Sequence, residues 1–141
     1  MTKIIGALAH KRRLRHLRSP AVRKRIGAAI FAGAQEIQTE ARLLITAGSV
    51  SGKGHVPSAP GEPPNRDTGH LDSNIEAVRT GELTSEVESR AEYGLALELG
   101  TSKMAERPYM RPATAKKRHR PAELVDKVVT DALKTSLGGS I

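Results

Sequence analysis

The sequence predicts an α+β fold: a long helix and a C-terminal helix packed on a small antiparallel sheet, with a long Pro/Gly-rich loop between. Three observations carry this: an apolar 3.6-residue period over residues 20 to 46, a period-2 alternation over 73 to 91, and a second helical period after residue 111. At 141 residues the chain has the length of one domain, and folding at that size buries roughly two-thirds of the unfolded surface. Its aromatic residues are Phe31, Tyr93 and Tyr109, so Ala, Leu, Ile and Val must build the core, and assembly is expected to supply part of the stability.

Ser19 before Pro20 marks a helix start, because the Ser hydroxyl accepts from free amides of the first turn and Pro is tolerated at the first helical position. Val22, Ile26, Ile30, Gly33, Ile37, Ala41 and Leu44 then line one face to about Thr46. Arg23, Lys24 and Arg25 sit where the helix dipole is positive, which points to an external partner for them. Before Ser19, residues 1–18 read as a basic N-terminal arm or a short helix, set apart from a single α+β unit spanning 19–141. Residues 47–67, AGSVSGKGHVPSAPGEPPNRD, carry no apolar period and read as the extended loop, placed to reach a neighbouring subunit or to remain disordered.

Ser73 to Arg79 and Leu83 to Ala91 alternate as strands of a hairpin, with Thr80-Gly81 as the turn. Tyr93 to Leu99, closed by Gly100, fits a short helix or a last strand, and the helical turn is preferred. Arg111-Pro112 opens a final helix, with Leu124, Val125, Val128, Val129, Ala132, Leu133 and Leu137 at helical spacing up to Gly138-Gly139; it is expected to pack on the hairpin face.

Charge is sorted along the chain. Residues 1 to 35 hold nine Lys or Arg and no acid; residues 36 to 99 hold eleven acids against five bases; residues 103 to 120 hold seven bases and only Glu106. Such sorting lets a positive face meet a negative face of a neighbour, or nucleic acid, although a merely solvated surface has the same composition. Arg12, Arg13 and Arg15, with Lys116, Lys117 and Arg118, are the candidates for a DNA channel or an acidic partner. No aromatic residues are interleaved with them for base stacking, so sequence-specific readout is excluded and non-specific contact with DNA is retained.

Catalysis finds little support. His10, His16, His55, His70 and His119 lack metal-ligand spacing, and cysteine is absent. No nucleophile elbow occurs, and the glycine run 48–54 lacks phosphate-loop spacing. Glu82, Glu86, Glu88, Glu92 and Glu98 are read as an outward acidic face, not an acid-base pair. No enzyme activity, metal or cofactor is expected. Neither a secretion signal nor a stretch of about 18 apolar residues is seen, so no membrane role is expected.

Two stretches carry a resemblance. The first is SAPGEPP at 58–64, continuing through DTGHLDSNI at 67–75; the second is EYGLALELGTS at 92–102, followed by RPYMRPA at 107–113. In this order they resemble the gene-product-ten family of HK97-type phages, with its Pro-Gly-rich loop, "TGxLxxSI", "YAxxxExGT" and "RPFxRPA" segments, over about residues 20 to 137. Asn74 stands in place of the usual Ser, Gly94 of Ala, Leu99 of an aromatic residue and Tyr109 of Phe.

The resemblance implies a structural virion protein of a long-tailed bacteriophage, acting in tail completion, tail termination or head-tail joining. It would form a ring, sixfold by resemblance, at the neck, having assembled in the host cytoplasm. Its partners would be copies of itself, the tail tube protein and head connector or stopper proteins. On that basis Pro60, Gly61, Glu62, Pro63, Leu71 and Tyr93 are expected at intersubunit or tube contacts, as are Glu98, Gly100, Thr101, Arg107, Tyr109 and Arg111. A basic, non-specific nucleic-acid-binding accessory protein is the alternative.

Overall fold

A computed structural model describes residues 6–46 and 52–138. Helix α1 (Ala7–Leu17) precedes α2 (Pro20–Thr46); a single 3-10 turn (Gly52–Gly54) and an irregular stretch lead to α3 (His70–Ser73). Strands β1 (Ile75–Gly81) and β2 (Thr84–Ser89) form a hairpin, followed by α4 (Gly94–Leu99), α5 (Met110–Lys117) and α6 (His119–Gly138). The class is α+β as the periodicities predict, with the two strands antiparallel. The first part of the expected loop, residues 47–51, and the N-terminal residues 1–5 lie outside the described residues.

Helix α2 begins where Ser19 predicts: the Val22 amide donates to Ser19 Oγ (3.4 Å), and the Arg23 amide to the Ser19 carbonyl (3.0 Å). This helix organises everything else. On one face, Gln38 Nε2 (3.0 Å) and an Arg42 guanidinium nitrogen (2.7 Å) both donate to the Ile75 carbonyl at the start of β1, and Arg23 pairs with Glu82 (3.0 Å) at the hairpin tip. On the other face, Glu36 accepts from Arg120 (2.8 Å), Glu40 from Lys116 (2.7 Å), and Arg25 pairs with Asp131 (3.3 Å). Each step forward along α2 is matched by an equal step back along α5 and α6, as two antiparallel helices in register require.

At 100° per residue, Arg23, Gly27, Gln38 and Arg42 lie on nearly the opposite face of α2 from Arg25, Gly33, Glu36 and Glu40. The molecule is therefore layered: hairpin, then α2, then α5 and α6, with α1 laid against α6. The C-terminal helix thus packs on α2 and not, as expected, on the hairpin face, because α2 lies between them. Gly33 permits the close approach of α6, since a Cβ there would sit 2.5 Å from Pro121 Cγ. Ala41, Ile45, Leu71, Ile75, Ala91, Tyr109 and Ala113 form the core, and Tyr109 is its largest fully buried side chain.

Three boundaries differ from the sequence expectation, each for a physical reason. The hairpin turns at Glu82-Leu83, not Thr80-Gly81, because Gly81 pairs with Thr84 beyond an irregularity at Arg79/Gly81. Arg23 ties the tip to α2, and within the hairpin an Arg79 guanidinium nitrogen donates to the Glu82 carbonyl (3.2 Å). Ser73 belongs to α3, with β1 starting at Ile75. The final helical segment is split at Arg118, because Pro121 has no amide to donate and its ring would collide with the Lys117 carbonyl of a continuous helix. The external partner expected for the cations in the first turn of α2 is not needed by two of the three, since Arg23 and Arg25 find theirs inside the subunit, in Glu82 and Asp131.

Candidate functional site

The two recognisable stretches, far apart in sequence, meet in space. The Gly61 amide donates to the Glu106 carbonyl (2.9 Å), and Arg107 Nε donates to the Ser58 carbonyl (3.2 Å). Between them lies a cleft of about 490 Å³, walled by His55, Pro57, Ser58 and residues 64–72 on one side and by Ile45, Tyr93, Leu97, Met104 and Arg107 on the other. His70 and Tyr93 face each other at its mouth, ring centroids 5.8 Å apart. The Tyr93 hydroxyl is held above its ordinary pKa by burial and by the nearby Asp67 and Asp72 carboxylates.

Glu98 is the structural centre of the second stretch. It is buried within α4, and its carboxylate receives the amides of Tyr109 (2.8 Å), Met110 (2.9 Å) and Arg111 (2.9 Å), which are free donors at the start of α5. Arg111 Nε adds a fourth contact at 3.0 Å. Burial raises the pKa of this carboxyl, but the three amides and the guanidinium more than offset that and leave it below its ordinary value. A negative charge on a helix N-terminus is also favoured by the dipole. Glu98 thus docks α5 onto α4 across the chain reversal, and the expectation that it lies on an outward acidic face is corrected.

The reversal itself follows the sequence reading. Gly100 has φ +74°, a conformation that glycine adopts without penalty, and Thr101 and Met104 exchange backbone hydrogen bonds at 2.8 and 3.3 Å. Tyr109 points inward, its hydroxyl donating to Ser89 Oγ (2.7 Å) at the end of β2. Burial raises the Tyr109 pKa, with Ser89 acting in the opposite direction. A Cβ on Gly94 would lie 2.7 Å from this hydroxyl and 2.8 Å from Ser89 Oγ. The glycine at 94 and the tyrosine at 109 are therefore one coupled departure: the extra oxygen occupies the space that an alanine methyl would fill.

Leu71 and Tyr109 are buried inside the subunit, whereas Pro60, Gly61, Glu62, Thr101 and Arg111 are exposed and Tyr93 is 44% exposed. Pro63, Gly100 and Arg107 are half-buried. Leu95 and Leu99, one turn apart on α4, are 71% and 59% exposed beside Tyr93, an apolar strip the sequence reading did not single out. The sequence carries no local signal for it, because Glu98 reads as an outward acid until the α5 amides converge on it.

The basic candidates separate. Lys116 is paired with the buried Glu40, and the neighbouring Arg120 holds Glu36 below its ordinary pKa through their hydrogen bond. Among the described residues, no ion pair involves Lys11, Arg12, Arg13, Arg15 or Arg18 of the N-terminal segment. Also among these residues, no three His, Asp or Glu side chains converge as a metal site would require, and no helix is long and apolar enough to cross a membrane.

The family model of the HK97-gp10-like proteins, described as bacteriophage HK97-gp10 tail components, matches residues 9–100, about two-thirds of the chain. The chain belongs to the HK97-gp10-like family. It is a bacteriophage tail component, a structural part of the virion that works among other phage structural proteins. The matched span of this HK97-gp10-like chain starts inside α1, takes in α2 to α4 and the hairpin and ends at Gly100; the RPYMRPA stretch that Glu98 binds lies beyond it. No curated protein and no solved structure matches the chain.

Proposed function

We propose that this tail component closes or joins the tail at its head-proximal end, in tail completion, termination or head-tail joining, by assembling into a ring at the neck. The ring is sixfold by family resemblance, and its partners are the tail tube protein and the connector or stopper proteins of the head. The observation that carries the reading is the convergence of stretches 58–75 and 92–113 into one braced surface, with Tyr93, Leu95 and Leu99 exposed beside it. A surface that is rigid, apolar at its centre and polar at its rim is the form a protein contact takes. In this reading Pro60, Gly61, Glu62 and Pro63 with Thr101 and Arg107 form the rim against a neighbour or the tube. Glu98, Gly100, Tyr109 and Arg111 hold that rim in shape from behind, and Leu71 supports it from the core.

Mixing the purified protein with tail tube protein and imaging the products by negative stain tests this. Rings, or caps on tube ends, are the expected outcome, and a protein that leaves tube length and ends unchanged contradicts it. A second reading, non-specific nucleic-acid binding, is favoured by Lys11, Arg12, Arg13, Arg15 and Arg18, which make no ion pair among the described residues. Its mark would be tight duplex binding whose affinity falls steeply with salt.

A further inference from the structure

Helix α1 has no buried residue. Arg13, His16 and Leu17 are turned toward the body, while Lys11, Arg12, Arg15 and Arg18 are exposed together with Leu8 and Leu14. On α2, α5 and α6, cations such as Arg25, Lys116 and Arg120 find carboxylates within the chain; in α1, among the described residues, none does. The helix presents an uncompensated basic face interspersed with exposed leucines.

The opposite flank of the molecule has the complementary character. Ile75, Ala77 and Val87 of the hairpin turn to α2, so Glu76, Val78, Glu86 and Glu88 turn outward. Glu76 and Glu88 are directly opposite each other across the ladder, a like-charge pair that is unfavourable alone. Arg90 spans both, at 2.9 and 2.6 Å, but Glu86 pairs with no cation among the described residues, so three carboxylates face one guanidinium. A two-stranded sheet is marginal by itself, and this one has α2 on one face only.

We infer that the basic face of α1 of one copy docks on the acidic outer face of the β1–β2 hairpin of a second copy, head to tail. The layered order of the fold sets the geometry: the hairpin lies on one side of α2, and α6 with α1 on the other. Complementary patches on opposite flanks cannot satisfy each other within one chain, and repeated contact between them makes a closed ring or a filament. A second copy is favoured over DNA because Leu8 and Leu14 stand among the cations, where phosphates offer them nothing, while the hairpin offers Val78. The inference rests on the proposed ring and names the surfaces that close it.

Two charge-reversed proteins test it: one with Arg12→Glu and Arg15→Glu, the other with Glu76→Lys and Glu86→Lys. All four positions lie on the outward faces, and melting curves check that folding is intact. Each variant alone is expected to lose self-association at least tenfold, read by native mass spectrometry at low salt. Mixed in equal amounts, the two are expected to co-assemble to within threefold of the unaltered chain, because every contact then joins opposite charges. Rings formed by both variants alone overturn the docking and leave the ring reading standing. Loss of duplex DNA binding by the α1 variant with assembly untouched assigns the helix to nucleic acid instead. A chain that stays monomeric at every concentration and with tail tube protein present removes both inferences.

Discussion

Replacing Gly94 by Ala tests the coupling between Gly94 and Tyr109. Gly94 has no positive φ, so alanine fits the backbone, and in an unobstructed helix it would stabilise by about 0.5–1 kcal/mol. Here its methyl meets the Tyr109 hydroxyl at 2.7 Å and Ser89 Oγ at 2.8 Å, inside a core whose central side chain is itself fully buried. Overpacking of that kind costs about 1–3 kcal/mol, and parting the Tyr109–Ser89 hydrogen bond costs about 1 kcal/mol more. The net expectation is a destabilisation of roughly 1.5–3 kcal/mol. Tyr109→Phe alone removes the hydrogen bond for about 0.5–1.5 kcal/mol. In the double variant the methyl fills the place of the oxygen, Ser89 is free to rotate, and stability should return to within about 1 kcal/mol of the starting protein. Urea unfolding followed by circular dichroism gives the cycle, with an interaction energy of roughly 1–4 kcal/mol. Additive losses, with the double variant the least stable of the set, would refute the coupling.

Glu98→Ala leaves three amides at the head of α5 without their acceptor and is expected to cost about 3 kcal/mol, against a total stability of about 5–15 kcal/mol for a domain. Glu106→Gln, which touches only the exposed side of Arg111, should leave the unfolding midpoint in place; equal losses in the two variants would contradict the burial argument. Because the Glu98 carboxyl sits below its ordinary pKa of 4.5 in the folded chain, its contribution is complete above that pH and is lost as pH falls through the folded value. An acid titration of stability in the Glu98→Gln protein should be flatter below about pH 4.5 than in the parent. Gly33→Leu drives a side chain into Pro121 and should part α6 from α2, seen as lost protection of α6 amides in hydrogen exchange.

Much of the fold was legible because its periods are strong. Ser19-Pro20 gave the start of α2, and the alternation of Ile75, Ala77 and Val87 gave the hairpin. Boundaries set by tertiary contact were not legible: the turn moved to Glu82-Leu83 because α2 binds the tip, and one helix became two because of Pro121. The two motif stretches were recognisable, but their meeting across the cleft was not, since nothing local pairs Ser58 with Arg107 or Gly61 with Glu106. Glu98 reads as one acid among many until three amides eleven to thirteen residues away converge on it. The antiparallel contact between α2 and α5/α6 did leave a trace, in Glu36 and Glu40 spaced by four against Lys116 and Arg120 spaced by four.

The most direct test of the central claim is the mass of the purified protein by native mass spectrometry, alone and with tail tube protein, with the same samples imaged by negative stain. Closed rings, or rings nucleated only on the tube end, are the predicted result. A monomer indifferent to the tube at every concentration would contradict it.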